Sequence, residues 1–412
     1  MIRRRRRLRP LAFCCAALVV FVAVTAFTSA EFQPATAPAE VEPGQAEVRV
    51  THRSIEGEVR FTQPAVEARG VWVPSNDLLG PRDAMLRKFD QLKRANFNTV
   101  LIDAWFRGYT AYAGSAVAPL HPDLKGGDAF GAALAEAKSR GLRVEPWISY
   151  GFYAYFTPDA TKDRSLGPVL SSHPELASID ARGNRSIHRA FGDYYSLCPA
   201  NPRSHEVLGR LMVEVVAKYP VDGLHLDRIR FAEADHCFCN YCKARFLKDA
   251  GLELKRFENG SDEHEKWTQW KRQQTLAAMR HFRRVVHAAR PGLPITSYVV
   301  GPDEMDARGQ SWDLWAREGL LDAVAVSMYG ADIRPAAEKA LARLGEAGRS
   351  RLICALSADR IPTPIFAANV QVARQYAPLG QFTWYLGRLD EIDLEALHDG
   401  PYARPAKDPL AK

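Results

Sequence analysis

The sequence predicts an α/β fold, a (β/α)8 TIM barrel, on three observations. Short runs rich in β-branched and aromatic residues alternate with helical patterns from Arg69 onward, and eight such runs can be counted. No Gly-rich phosphate turn follows the first run, which argues against an open doubly wound sheet.

In order, the predicted strands are RGVWV (69–73), NTVLIDAWF (98–106), LRVEPWIS (142–149), DGLHLDRIRF (222–231), PITSYVV (294–300), LDAVAVSMY (321–329), RLICALSA (351–358) and GQFTWYLG (380–387). Between them, stretches such as 83–96, 131–141 and 204–219 repeat apolar residues at three- and four-residue spacing, as helices packing on a barrel do. Two connections are long: 150–203 after the third strand, and 232–293 after the fourth, which holds a predicted helix from about Glu263 to Arg290. Loops that follow barrel strands build the active site, so these insertions are expected to wall a cleft.

Ahead of the barrel, residues 1–30 run from arginines through an apolar stretch to small residues, the order of a secretory signal. The same stretch is long enough to persist as an N-terminal membrane anchor. The location read from it is exported, periplasmic or extracellular, with a tether as the other outcome. Residues 31–66 read as spacer and lead-in, 67–400 as the barrel domain and 401–412 as a C-terminal tail. The formal charge of +7 includes six arginines in the leader, which carries no acid, so the remainder stands near neutrality and gives no footprint for nucleic acid.

Carboxylate chemistry is the leading option, since GxSxG, HExxH and nucleotide motifs are absent. Asp227, at the end of the fourth strand, falls on the rim where barrel enzymes act. There it can serve as nucleophile or base if a second carboxylic acid protonates the leaving oxygen. Asp303 and Glu304, after strand five, are the expected partners, ahead of Asp103, Glu145 and Asp332. Asp103, Glu145 and His225 lie within strands, where they either reach substrate or bond to interior partners. The Arg230 fork is expected to orient Asp227 or another acid. Trp105, Trp147, Tyr329 and Trp384 end strands two, three, six and eight, a geometry that converges aromatic faces on one sugar-sized pocket.

RGVWV with Trp72, NFNTVLIDAW, GLRVEPWIS, HPELASIDARGN, SLCPANPRSHEVL and above all VDGLHLDRIRF resemble the glycosyl hydrolase-like 10 family, from about Arg69 to Leu389. The resemblance implies a hydrolase of glycans, cell-wall glycans among them, with the fourth-strand Asp at its centre. Family members frequently carry an acidic or aromatic residue after that Asp, where this chain has Arg228. The reading is an exported glycoside hydrolase acting on a polysaccharide or peptidoglycan-derived glycan; the alternative is a non-catalytic glycan-binding barrel with a degenerate site.

Five cysteines follow the leader. Cys354 reads as a buried apolar residue of strand seven. Cys237, Cys239 and Cys242 form a CxCxxC cluster with Cys198 or His236 available as a fourth partner. Disulfides pinning the two insertions together suit an oxidising compartment; a structural zinc is the other reading. No other cofactor or metal is expected.

Overall fold

The computed structural model describes residues 61–411 apart from 126 and 164. The predicted leader lies outside the described residues, as does nearly all of the spacer. Among the described residues, no helix is long and apolar enough to cross a membrane.

Eight parallel strands close a barrel in sequence order: β1 (Ala68–Val73), β2 (Thr99–Asp103), β3 (Arg143–Ile148), β4 (Leu224–Leu226), β5 (Ile295–Val299), β6 (Ala323–Ser327), β7 (Leu352–Ser357) and β8 (Gly380–Trp384). Closure is made where β1 pairs with β8, Ala68 opposite Gly380. Both strand faces are buried, which is why the runs read as nearly continuous apolar sequence. Outward residues such as Val71, Val100, Ile102 and Val144 pack under the helices. Inward residues form a separate cluster of Trp72, Leu101, Trp147, Ala325, Ile353, Ala355 and Phe382. Large and small side chains balance inside the ring: a β-carbon on Gly70 would fall 2.3 Å from the Phe382 ring, so β1 leaves that space to β8.

Several predicted strands end sooner than their sequence runs, and two of these shape the site. In β2 the chain leaves the ring after Asp103, and Trp105–Phe106 pairs with Tyr109–Thr110 in a small hairpin. In β4 only three residues are strand, because Arg228 turns left-handed at φ 51°.

After β3 the chain forms a three-stranded antiparallel sheet, in the order Tyr153–Thr157, Gly192–Ser196, Ser186–Arg189, and then the helix Pro202–Lys218. Asn201 caps that helix by accepting from the Arg203 amide, and proline occupies its first turn. After β4 come the helices Asn240–Ala250 and Asp262–Ala289. The latter is capped by Ser261 and carries Asp262, Glu263 and Glu265 in its first turn, where the helix dipole favours them.

The barrel's N-terminal floor is sealed by residues 402–410. Asn98 donates to the Ala406 carbonyl at 3.0 Å, Thr99 donates to Asp408, and the Arg69 guanidinium lies 4.4 Å over the Tyr402 ring. The segment read as a tail thus forms part of the barrel's base.

Candidate active site

Alternation along β4 buries Leu224 and Leu226 under the helices and turns His225 and Asp227 into the ring. Asp227, 5% exposed, stands just past the strand's C-terminal end, and its Oδ1 accepts the Arg228 amide at 2.6 Å. The segment after β3 crosses this turn. Phe152 donates its amide to the Arg228 carbonyl at 3.3 Å, and Gly151, at φ 47°, lies against the Asp227 backbone.

Two guanidiniums attend Asp227. Arg228 donates to the Ser149 carbonyl at 2.6 Å and lies 4.9 Å over the Tyr150 ring. Arg230 donates to the Tyr153 hydroxyl at 3.1 Å and makes no hydrogen bond to Asp227; its influence there is electrostatic. Burial raises the Asp227 pKa above the ordinary aspartate range, against the pull of both arginines.

Asp103 ends β2 with 2% exposure. Its Oδ2 accepts the Ser75 amide at 3.1 Å, while Oδ1 has no partner among the described residues. Burial pushes its carboxyl up to about 8, and the nearby Asp227 charge adds to the rise while Ser149, the Ser75 amide and Arg228 oppose it. At neutral pH Asp103 therefore holds a proton. Asp103 and Asp227 share one electrostatic environment at the same rim, two acids driven above their ordinary range in a site that also holds two cations.

Glu145 and His225 belong to the ring's interior. Trp72 donates its indole N–H to His225 Nε2 at 3.0 Å, which leaves Nδ1 to donate to Thr296 at 2.7 Å. Thr296 donates to Glu145, whose other oxygen accepts from Arg143 at 2.5 Å. His225 is fully buried and burial lowers its pKa to about 3, so it is neutral and fixed in one tautomer. Each member of this network has an interior partner, the second of the two roles that the sequence allowed for both residues.

Above the network the rim is floored by aromatics. Trp147 and Trp384 lie 5.7 Å apart, each also against Trp72, with Tyr385 5.0 Å from Trp384. Tyr298 stacks on Tyr329 at 6.1 Å, and Tyr329 is 42% exposed. The Trp147 indole N–H faces the Asp227 carboxyl without closing a hydrogen bond. Trp105 is not part of this floor; it starts the hairpin after β2 and packs in the core under the helices. Tyr298 was missed in the sequence, although its alternation with Thr296 along β5 places it inward.

Asp303, Glu304 and Asp332 stand apart from these groups. Asp303, with 75% of its side chain exposed, pairs with Lys339 at 2.7 Å. Glu304, 62% exposed, faces Arg308 at 3.8 Å, and Asp332 pairs with Arg334 at 3.0 Å. Among the described residues, no hydrogen bond or ion pair joins any of the three to Asp227. A hollow of about 420 Å³ lined by Lys138, Arg143, Asp222 and Arg290 opens at the opposite end of the ring, away from the rim where barrels do chemistry.

Beyond the rim, Cys198 meets Cys237, Cys239 and Cys242, all four buried with their sulfurs within 4.8 Å of one another. Cys198, rather than His236, supplies the fourth member.

A closed parallel ring with buried carboxyls and an aromatic floor at its C-terminal mouth has the architecture of the glycoside-hydrolase barrels. The chain belongs to the family described as Glycosyl hydrolase-like 10, whose sequence profile it matches over residues 67–352. It is similar to glycosyl hydrolase DigH of Escherichia coli strain K12, 26% identical over a 301-residue alignment, with 68% of this chain and 65% of that protein covered. DigH of Shigella flexneri matches to the same extent. The matched region is thus a little under two thirds of the length of these relatives.

Among solved structures, the glycoside hydrolase domain of PgaB (BpsB) from Bordetella bronchiseptica superposes with a TM-score of 0.60 at 17% identity, covering 81% of this chain and 98% of that one. A beta-galactosidase from Rahnella sp. R3 gives 0.58 at 14% identity, covering 82% and 56%. At these identities the likeness is one of fold.

Proposed function

We propose that this chain is an exported glycoside hydrolase in which Asp227 acts as the ionised carboxylate and Asp103 as the acid. The observation that carries the reading is the pair of buried carboxyls at one rim, Asp103 ending β2 with its Oδ1 unpartnered among the described residues and Asp227 just past β4, each within reach of the other's charge. Glycosidic cleavage needs one carboxylic acid to protonate the leaving oxygen and one carboxylate to stabilise or attack the anomeric carbon, or to activate water. Burial raises both pKa values and Arg228 opposes the rise at each; Arg230 pulls on Asp227 alone, while the charge of Asp227 adds to the rise at Asp103. Asp303 and Glu304 are each partnered by a cation at the exposed surface and stand apart from Asp227.

The aromatic floor of Trp147, Trp384, Tyr385 and Tyr329 supports a polysaccharide or peptidoglycan-derived glycan as substrate, because sugar rings present apolar faces to such side chains. The arginine-rich leader supports export.

The test is a glycan panel scored for new reducing ends by mass spectrometry, with Asp227→Asn and Asp103→Asn alongside the parent chain. Turnover lost in both variants, with glycan binding retained, is the expected result. Binding without turnover in the parent chain would instead select a glycan-binding barrel with a degenerate site, and turnover that survives Asp227→Asn would overturn the assignment.

A further inference from the structure

We propose that Cys198, Cys237, Cys239 and Cys242 form a tetrahedral four-thiolate site for one zinc ion, which clamps the insertion after β3 to the insertion after β4. The two loops are remote in sequence and meet at the sulfurs. Cys198 lies between the strand Gly192–Ser196 and the helix Pro202–Lys218, while Cys239 caps the helix Asn240–Ala250 and Cys242 sits in its first turn.

The spacing suits a metal. Zinc–sulfur bonds of about 2.3 Å in a tetrahedron place the sulfurs about 3.8 Å apart. Cys198 Sγ lies 3.4 Å from Cys242 Sγ and 3.6 Å from Cys239 Sγ, and the quartet fits within 4.8 Å. No other described residue group of this kind has all its ligand atoms gathered so closely.

The surroundings suit thiolates. The amides of Ile179 and Cys239 point at Cys237 Sγ, each at 3.4 Å, and the Cys242 amide points at Cys239 Sγ at 3.5 Å. Amide donors of this sort fix and stabilise sulfur ligands from outside the metal shell. Phe231, Phe238, Phe246, Trp267 and Trp270 pack around the quartet and exclude water. One disulfide would engage two sulfurs and leave two buried thiols beside it; one ion engages all four. With every position taken by protein, such a site is structural. It fixes a loop whose first cysteine, Cys237, lies ten residues beyond Asp227.

The full chain, purified without chelator, is assayed for zinc by plasma mass spectrometry and for thiols by intact mass after alkylation. One zinc per chain is expected, with the four thiols shielded from alkylation until the metal is stripped. Cobalt(II) exchanged into the parent chain should show sulfur-to-metal charge transfer and the intense visible bands of a tetrahedral thiolate site, a readout that requires no variant to fold. Cys198→Ser should lose the stoichiometric metal and Cys354→Ser should keep it. Metal-free protein lacking two hydrogens per disulfide, or cobalt bound without charge transfer, would overturn the assignment.

Discussion

Gly151 and Asp227 touch so closely that a β-carbon on the glycine would stand 2.0 Å from the Asp227 carbonyl oxygen. The glycine is also held at φ 47°, where side chains are disfavoured. Gly151→Ala is therefore expected to cost more than about 2 kcal/mol and to displace the Asp227 turn. At Gly183 (φ 88°), where a β-carbon meets nothing within 4 Å, the same change should cost only about 1 kcal/mol. Urea unfolding of the two variants checks the difference; equal costs would show that the crossing at Asp227 is slack.

Asp103 links stability to pH. Its folded pKa of about 8 stands above the ordinary value of 3.8, so between those values the folded chain binds more protons than the unfolded one. Stability contributed at this position is greatest below pH 4, falls as pH rises through that window and is flat beyond it. Asp103→Asn should remove the slope, gaining on the parent chain by a few kcal/mol, in order of magnitude, between pH 4 and pH 9. Parallel denaturation curves for parent and variant across that range would refute the assignment of a neutral Asp103. On the proposed assignment of Asp103 as the acid, turnover is expected to show an alkaline limb near pH 8.

Glu145 compensates a buried cation. Glu145→Gln leaves the buried Arg143 guanidinium without its hydrogen-bonded carboxylate, and a loss of about 3–5 kcal/mol is expected. Replacing both residues together, Arg143→Met with Glu145→Leu, should cost less than the single change. Thermal unfolding of the three variants decides it, and additive costs would show that the pair is not coupled.

Tyr329 is exposed enough to be altered without disturbing the core. Tyr329→Ala should leave stability within about 0.5 kcal/mol and weaken glycan binding by up to about tenfold, the scale of one aromatic contact. Asp303→Asn and Glu304→Gln should leave both binding and turnover unchanged. Calorimetric titration and the reducing-end assay report on these variants, and a turnover defect in Glu304→Gln would return the acid to the loop after β5.

The ring was legible in sequence because each strand is buried on both faces and so reads as an uninterrupted apolar run. Asp227 was legible for a related reason: the polar residues of HLDR break such a run where the strand must end. The partner acid proposed above is harder to see, since Asp103 and Asp303 are equally plausible as letters. Burial distinguishes them, since Asp103 is 2% exposed while 75% of the Asp303 side chain is exposed. Trp105 was misplaced because an aromatic at the end of an apolar run does not reveal that the chain has already turned into a hairpin after Asp103.

The floor beneath β1 and β2 is finished by residues more than 300 positions away, through the Asn98–Ala406 and Thr99–Asp408 bonds. Contacts of such long sequence separation form late and slow the search for the native state. A chain emerging residue by residue can therefore assemble its middle strands while the first two still lack their base. Until that last stretch docks, Arg69 lacks the ring of Tyr402 beneath it and the base of the ring stays open.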